Sequence, residues 1–278
     1  MVPLLIAERG VIGIAGLALL LLAESVWPFR QPVESRWRRY VINLFIAGSN
    51  ALMLSVLLGG LIIALYHSFE LHRVGLLARF GVEGWANVAL TVVCLDGVTY
   101  LWHRAYHGIP IMWRMHRVHH SDRDLDVTTS GRFHLTEMGL SALFRLGVIA
   151  ALGASVAAVV LFEIIFGVLN QLEHANLHIP EPFETWLRGV FVTPDMHRIH
   201  HSQRREETNS NYSTIFSFWD RVFGTYRFRA DQQAITPGLP EYARREDVTL
   251  GNVLAMPFGP PCQLVGSAGA SPGLASVR

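Results

Sequence analysis

Four long apolar stretches divide this chain, and they leave it little choice but to span a membrane as helices. The first runs from Gly10 to Ala23, extended by Ile6, Ala7, Val26 and Trp27. The second, Val41 to Tyr66, is interrupted only by Asn43, Ser49, Asn50 and Ser55. Trp85 to Trp102 is the third, and Glu137 to Asn170 the fourth. A cleaved signal peptide is the competing reading of the first stretch, but Arg9 is a weak basic lead and no clear small-x-small cleavage site follows. The whole chain agrees with lipid: 51% of it is hydrophobic and only 16% charged, against about a quarter charged in soluble domains. The expected fold is an all-α integral membrane bundle with four to five membrane segments and a cytoplasmic helical cap.

Charge sets the expected orientation. Arg30, Arg36, Arg38 and Arg39 crowd the loop between the first two stretches and favour its cytoplasmic placement. The next loop, 67–84, balances Arg73 and Arg79 with Glu70 and Glu83 and suits the opposite side. Tyr40, Tyr66, Trp85, Tyr100 and Trp102 stand at span ends, as an interfacial aromatic belt does. Counting crossings, the chain enters at Arg30, exits at Tyr66 and returns at His103, so the histidines that begin there face the cytoplasm. A single crossing by the fourth stretch would then strand the later histidines about 30 Å away. The stretch is long enough to enter and return instead, and a helical hairpin bent near Gly153 and Ser155 is expected. The resulting division is 1–84 for the N-terminal helices, 85–230 for the histidine-rich region and 231–278 for a C-terminal segment. Within it, 209–227 reads as an interfacial cap and 259–278 as a disordered tail.

Eleven of the thirteen histidines lie between His103 and His201. HRAYH is followed by MHRVHH, RFHLTE, EHANLH and MHRIHH, with spacings of one, three and four that put imidazoles on one face of a helix. A lone HxxxH is weak, but two HxxHH boxes, each with an HxxxH ahead of it, form a specific pattern. Ten donors emerge: His103, His107, His116, His119, His120, His174, His178, His197, His200 and His201. They exceed one tetrahedral zinc with an open position and suit two metals with four or five ligands each. Scattered core histidines are the bland alternative. His134 is as fit for supporting a ligand or touching substrate as for ligation, and Glu137 follows it closely. Asp96, two helical turns before His103, could accept a histidine N–H and fix its tautomer, or could simply pack between helices. His67 and His72 read as surface residues, and Arg104, Arg117 and Arg198 as solvated charges. Cys94 and Cys262 form no disulfide framework or metal motif. A net charge of +1 gives no reason to expect nucleic acid. Two other classes stay open: a membrane haem electron carrier, and a metal-binding or transport protein.

The motifs together resemble the fatty acid hydroxylase superfamily, also called the sterol desaturase family. The resemblance rests on DGVTYLWHRAYH (Asp96–His107), WRMHRVHHS (Trp113–Ser121), RFHLTE (Arg132–Glu137), EHANLH (Glu173–His178) and MHRIHHS (Met196–Ser202), and continues in NYSTIFSFWDRVFGTY (Asn211–Tyr226). It implies a non-haem di-iron oxygenase of membranes. Such an enzyme hydroxylates or desaturates a sterol, fatty acyl or related lipid, using O2 and two electrons from a separate carrier. The ten motif histidines would be the iron ligands, with no catalytic residue beyond them; overexpression could put zinc in their place. Leu135 stands where a proline is common, and the first box is the short HxxxH form. An HPGG-like haem loop of cytochrome b5 type is not found, so the expected electron donor is another protein, a reductase, ferredoxin or cytochrome b5-like carrier.

Overall fold

A computed structural model describes residues 2–72 and 74–260. Cys262 and nearly all of the expected C-terminal tail lie outside the described residues, as does the side chain of His67. Among the described residues helix is the regular structure, with isolated β-bridges at Phe191–Phe216 and Ser202–Pro237. Two long helices open the chain, α1 (Val2–Val26) and α2 (Arg36–Leu71). After the single turn α3 (Leu76–Arg79) come α4 (Gly84–Gly108) and α5 (Pro110–His120). The fourth apolar stretch forms α6 (Leu135–Leu152) and α7 (Val156–His174). Short helices follow: α8 (Phe183–Arg188), α9 (Pro194–His200), α10 (Arg205–Thr208), α11 (Phe218–Val222) and α12 (Leu250–Ala255). Among the described residues five helices, α1, α2, α4, α6 and α7, are long and apolar enough to cross a membrane.

The hairpin forms where the sequence places it. His134 caps α6, its Nδ1 accepting the Thr136 N–H at 3.2 Å. The helix stops at Gly153, whose φ of 75° is left-handed backbone that glycine adopts without strain. Ser155 then starts α7 by accepting the Ala158 N–H. Asn87 of α4 closes this bend: its amide donates to Gly153 O and its oxygen accepts from Ser155 N. The bend meets the α3 region so closely that a Cβ on Gly75 would lie 2.2 Å from Gly153 N. Val92 and Leu95 of α4, Ile149 of α6 and Val159 and Phe162 of α7 make one apolar core. A second joins Ile42 and Ile46 of α2 to Val118 of α5 and to Val248, Val253 and Met256 near the C-terminus.

Between α5 and α6 the chain 121–132 is fixed to α2 by buried charge. Arg39 donates to both oxygens of Asp122 at 2.8 and 2.9 Å, to Asp126, and to the Asp124 carbonyl. Asn43 adds bonds to Asp122 and Thr128, and Arg132 ties Asn43 to Val118 O and Ser121 at the end of α5. Arg39, one of the four arginines that favour cytoplasmic placement of the loop between the first two apolar stretches, is buried. Glu24 at the end of α1 accepts from Val127 N and Asn176 N, joining that loop to the one after α7. Arg117 and Arg198, expected to be solvated, are buried as well. Arg117 donates to the carbonyls of Met256 and Pro260, and Arg198 to Asp195, Gln232 and Leu177 O. Arg104 is exposed. The arginines interleaved in the boxes clamp the segments that surround the histidines, because a guanidinium can donate to several carbonyls at once.

Candidate metal centre

Both HxxHH boxes fold as short helices that begin with proline at the first position, Pro110 in α5 and Pro194 in α9. Proline suits that place because its missing N–H has no helical partner there. Thr193 caps α9 by accepting Met196 N–H. On each helix positions i and i+4 share a face and i+3 is offset from it. His116 and His120 thus point to one centre and His119 to another; His197 of α9 and His201 at its C-cap point to the second centre and His200 to the first. The result is two adjacent clusters: His103, His107, His116, His120 and His200 in one, and His119, His174, His197 and His201 in the other. Within each, the candidate ligand atoms all lie within 4.8 Å of one another. The rings of His120 and His201 stack across the boundary at 4.5 Å.

The outward nitrogens show what the inward ones offer. Nδ1 of His103 lies 2.8 Å from Tyr212 O, that of His200 2.7 Å from Ser210 O, and that of His174 2.6 Å from Asn170 O. A carbonyl only accepts, so each of these rings carries its proton on Nδ1 and turns the lone pair of Nε2 inward. His116 Nδ1 sits 2.6 Å from Glu137 Oε1, and His107 Nδ1 is 3.3 Å from Asn209 Oδ1. Inside, Nε2 atoms face each other at 3.1 Å for His103–His116, 3.1 Å for His119–His174, 3.0 Å for His174–His197 and 3.1 Å for His197–His201. His107 Nε2, His200 Nε2 and both nitrogens of His120 are buried with no protein partner. Lone pairs converging in a buried space repel unless a cation lies among them, so the donor set fits metal. Burial, reinforced by neighbouring imidazoles, holds His116, His119, His120, His197, His200 and His201 well below the usual histidine range. Those rings are neutral at pH 7, the form that binds a metal.

Aromatic rings close the space around the clusters. Tyr212 stands edge-on to His103, His107 and His200 at 5.1–5.6 Å. Phe133 stacks on His119 at 4.3 Å, and Trp113 lies 4.9 Å from His107. Asp220 holds Tyr212 in place by accepting its backbone N–H at 2.8 Å and that of Ser213 at 3.1 Å. Asn211, with a φ of 51°, accepts from Arg227 N and donates to Met196 O. The sequence marks this NYSTIFSFWD run as an interfacial cap and as part of the family resemblance, but gives it no part in the site; its Asn and Asp residues are the available signal.

Three of the expected residues fall elsewhere. His178 belongs to neither cluster: its side chain is 50% exposed, 3.9 Å from Asp195 and beside the Phe29 ring. The cause is local, because α7 ends at His174 and Ala175 is extended, so the helical i+4 relation to His178 does not exist. Asp96 touches no histidine. Its carboxylate accepts from Ile215 N, Phe216 N and the Trp219 indole instead. His134 acts as the cap of α6, near Phe258, outside both clusters. Glu137 is bonded to Nδ1 of His116, a cluster histidine, at 2.6 Å. Glu173 is buried 3.8 Å from His197 and 3.9 Å from His174.

Residues 88–225, which hold every member of both clusters, match the family model described as fatty acid hydroxylase. The chain belongs to the fatty acid hydroxylase family. This fatty acid hydroxylase family member is 31% identical over 141 residues to an alkylglycerol monooxygenase of Homo sapiens, an alignment covering 50% of the chain and 30% of the relative. It is 31% identical over 157 residues to an ornithine lipid hydroxylase of Rhizobium tropici, covering 54% and 45%. A very-long-chain aldehyde decarbonylase of Oryza sativa subsp. indica is 31% identical over 134 residues, covering 45% and 21%. The chain thus spans less than half the length of these curated relatives. No solved structure matches.

Proposed function

We propose that this protein is a membrane di-iron oxygenase that hydroxylates or desaturates a lipid with O2. The observation that carries the reading is the pairing of a five-histidine and a four-histidine cluster, buried side by side at the ends of membrane-length helices. His103, His107, His116, His120 and His200 would hold one iron, and His119, His174, His197 and His201 the other. Bound iron supplies the O2 activation that oxidation of an unactivated C–H bond requires. The protein's part is orientation and exclusion. Tyr212 O, Ser210 O, Asn170 O and Glu137 hold the outer nitrogens, so each ring presents its lone pair inward. Trp113, Phe133 and Tyr212 keep water from the rings. The relatives named as an alkylglycerol monooxygenase, an ornithine lipid hydroxylase and a very-long-chain aldehyde decarbonylase support a lipid substrate.

The rest of the proposal follows the topology. The histidines face the cytoplasm, where a separate reductase, ferredoxin or cytochrome b5-like protein delivers electrons, and 85–230 is the catalytic region. A haem carrier fits less well, since nine imidazoles in two clusters are not an axial pair. A transport path fits less well too: Glu163 is bonded to Arg145 at 2.7 Å, and Asp96 is engaged by Ile215, Phe216 and Trp219. The test is metal content and an absorption spectrum of detergent-purified protein, followed by O2-dependent turnover of a membrane lipid extract with an added reductase. Two irons per chain and an oxidised lipid product are expected. A haem Soret band, or a folded protein without bound metal, would overturn the reading.

A further inference from the structure

The segment on either side of the second HxxHH box is polar enough in sequence to pass for a surface cap, but its contacts place it deeper. Asp96 lies seven residues before His103 in α4, about 10 Å along the helix axis and away from the clusters. There its carboxylate accepts the N–H groups of Ile215 and Phe216 at 3.2 and 3.1 Å and the Trp219 indole at 2.9 Å. Ile215 packs in the core with Val92 of α4 and Val159 and Phe162 of α7. Phe162 is twelve residues from His174, about 18 Å along α7. Trp219 approaches α4 so closely that a Cβ on Gly97 would lie 2.7 Å from its ring. Irregular backbone therefore runs beside the membrane helices at the level of the hydrocarbon.

Backbone of that kind persists at such depth only where its polar groups find protein partners. They do here. Asp220 accepts from Tyr212 N and Ser213 N, Asp96 from Ile215 N and Phe216 N, Ile215 O from Val192 N, and Val190 O from Ser217 N. The charges are bonded within the element as well, although Arg221 is itself exposed. Arg188 pairs with Glu184 at 2.6 Å, and Arg221 donates to Ser217 O and Arg188 O. Most of the large side chains on the outer surface are apolar: Phe183 is 66% exposed, Trp186 71%, Val222 66% and Phe223 42%. Phe223 stacks on Tyr100 of α4 at 5.1 Å, and this surface continues into the exposed Val93 and Leu101 of that span.

We propose that the two stretches 183–192 and 212–223 form a re-entrant element whose outer face is embedded in the acyl region of the bilayer. Its partner is lipid hydrocarbon, continuous with the lipid around α4. The buried carboxylates of Asp96 and Asp220 are then the device that allows non-helical backbone to enter. The element also carries Tyr212 from the His103–His107–His200 rings toward lipid, so the wall of the metal centre and the lipid-facing surface are one piece of chain.

The test is spin-label accessibility in full-length protein reconstituted in phosphatidylcholine nanodiscs. A nitroxide is placed on Trp186→Cys or Phe223→Cys after Cys94 and Cys262 are replaced by serine. Leu52→Cys on the exposed face of α2 is the lipid reference and Arg205→Cys of α10 the aqueous one. Unchanged metal content and elution confirm folding of each variant. The proposal expects power saturation at both sites to respond to O2 more than to a water-soluble nickel chelate, as at Leu52 and opposite to Arg205. A nickel response like that of Arg205, or shielding from both reagents by a protein contact, would overturn it. The readout involves neither turnover nor the identity of the metal.

Discussion

The two histidine clusters draw on the same two boxes, yet they are held in different ways. In the five-membered cluster four rings have an outer partner: Tyr212 O, Ser210 O, Glu137 and Asn209 engage His103, His200, His116 and His107. In the four-membered cluster only His174 has one, Asn170 O. The Nδ1 atoms of His119, His197 and His201 are buried without a partner, and Glu173 stands too far from His174 and His197 for a hydrogen bond. The first cluster is organised by the protein before any ion arrives. The second leaves more of that work to the ion, and its rings lean on one another.

The coarsest test removes one ligand from each cluster. His119→Ala and His200→Ala should each drop metal content from about two ions to about one and reduce turnover by more than the roughly 10–100-fold that loss of an outer-sphere partner costs. His72→Ala, at an exposed site outside both clusters, should be near neutral. If removing either ligand leaves two metals bound, the clusters are not separate sites. Chelation sharpens the contrast. Stripping metal with a chelator should proceed in two phases, the four-histidine site emptying first because its rings are less tethered. A single phase, or slower stripping of the ion left in His200→Ala than of the ion left in His119→Ala, would break the comparison.

Both clusters share one foundation, the end of α5, and that foundation was the part hardest to see in the sequence. Arg39→Met strands Asp122 and Asp126 as buried, unpaired carboxylates, which should cost about 3–5 kcal/mol of stability. Thermal unfolding in detergent would show it, and a shift no larger than a surface substitution gives would mean the network is solvated. The sequence could not reveal this pairing, because Arg39 and Asp122 are 83 residues apart and arginine beside a span end reads as a topology signal. What was legible obeyed local rules. The spans follow from apolar length, the hairpin from Gly153 and Ser155 punctuating an overlong run, and the histidines brought together in two clusters from i, i+3 and i+4 spacing. His178 misled for the same reason: HANLH has the spacing of HRAYH, but His103 and His107 lie within α4, whereas α7 stops at His174. Asp96 likewise obeyed helical periodicity, but its partners come from residues 215–219 of the returning chain, beyond the reach of any local pattern.

The finest test uses two carboxylates that look alike in sequence and burial. Glu137 is bonded to His116 at 2.6 Å, whereas Glu173 comes no nearer than 3.8 Å to a ring nitrogen. Glu137→Gln keeps an acceptor for His116 but removes its charge, and it should weaken metal binding in the five-histidine cluster by about 10-fold, at the lower end of such outer-sphere changes. Glu173→Gln should leave the affinity of the four-histidine cluster nearly unchanged, since no hydrogen bond is lost. Competition with a chromophoric chelator measures both. An equal loss in the two variants would mean that His174 or His197 turns onto Glu173 once a metal is bound. The second cluster would then be braced by the protein after all, and the two would not differ in this respect.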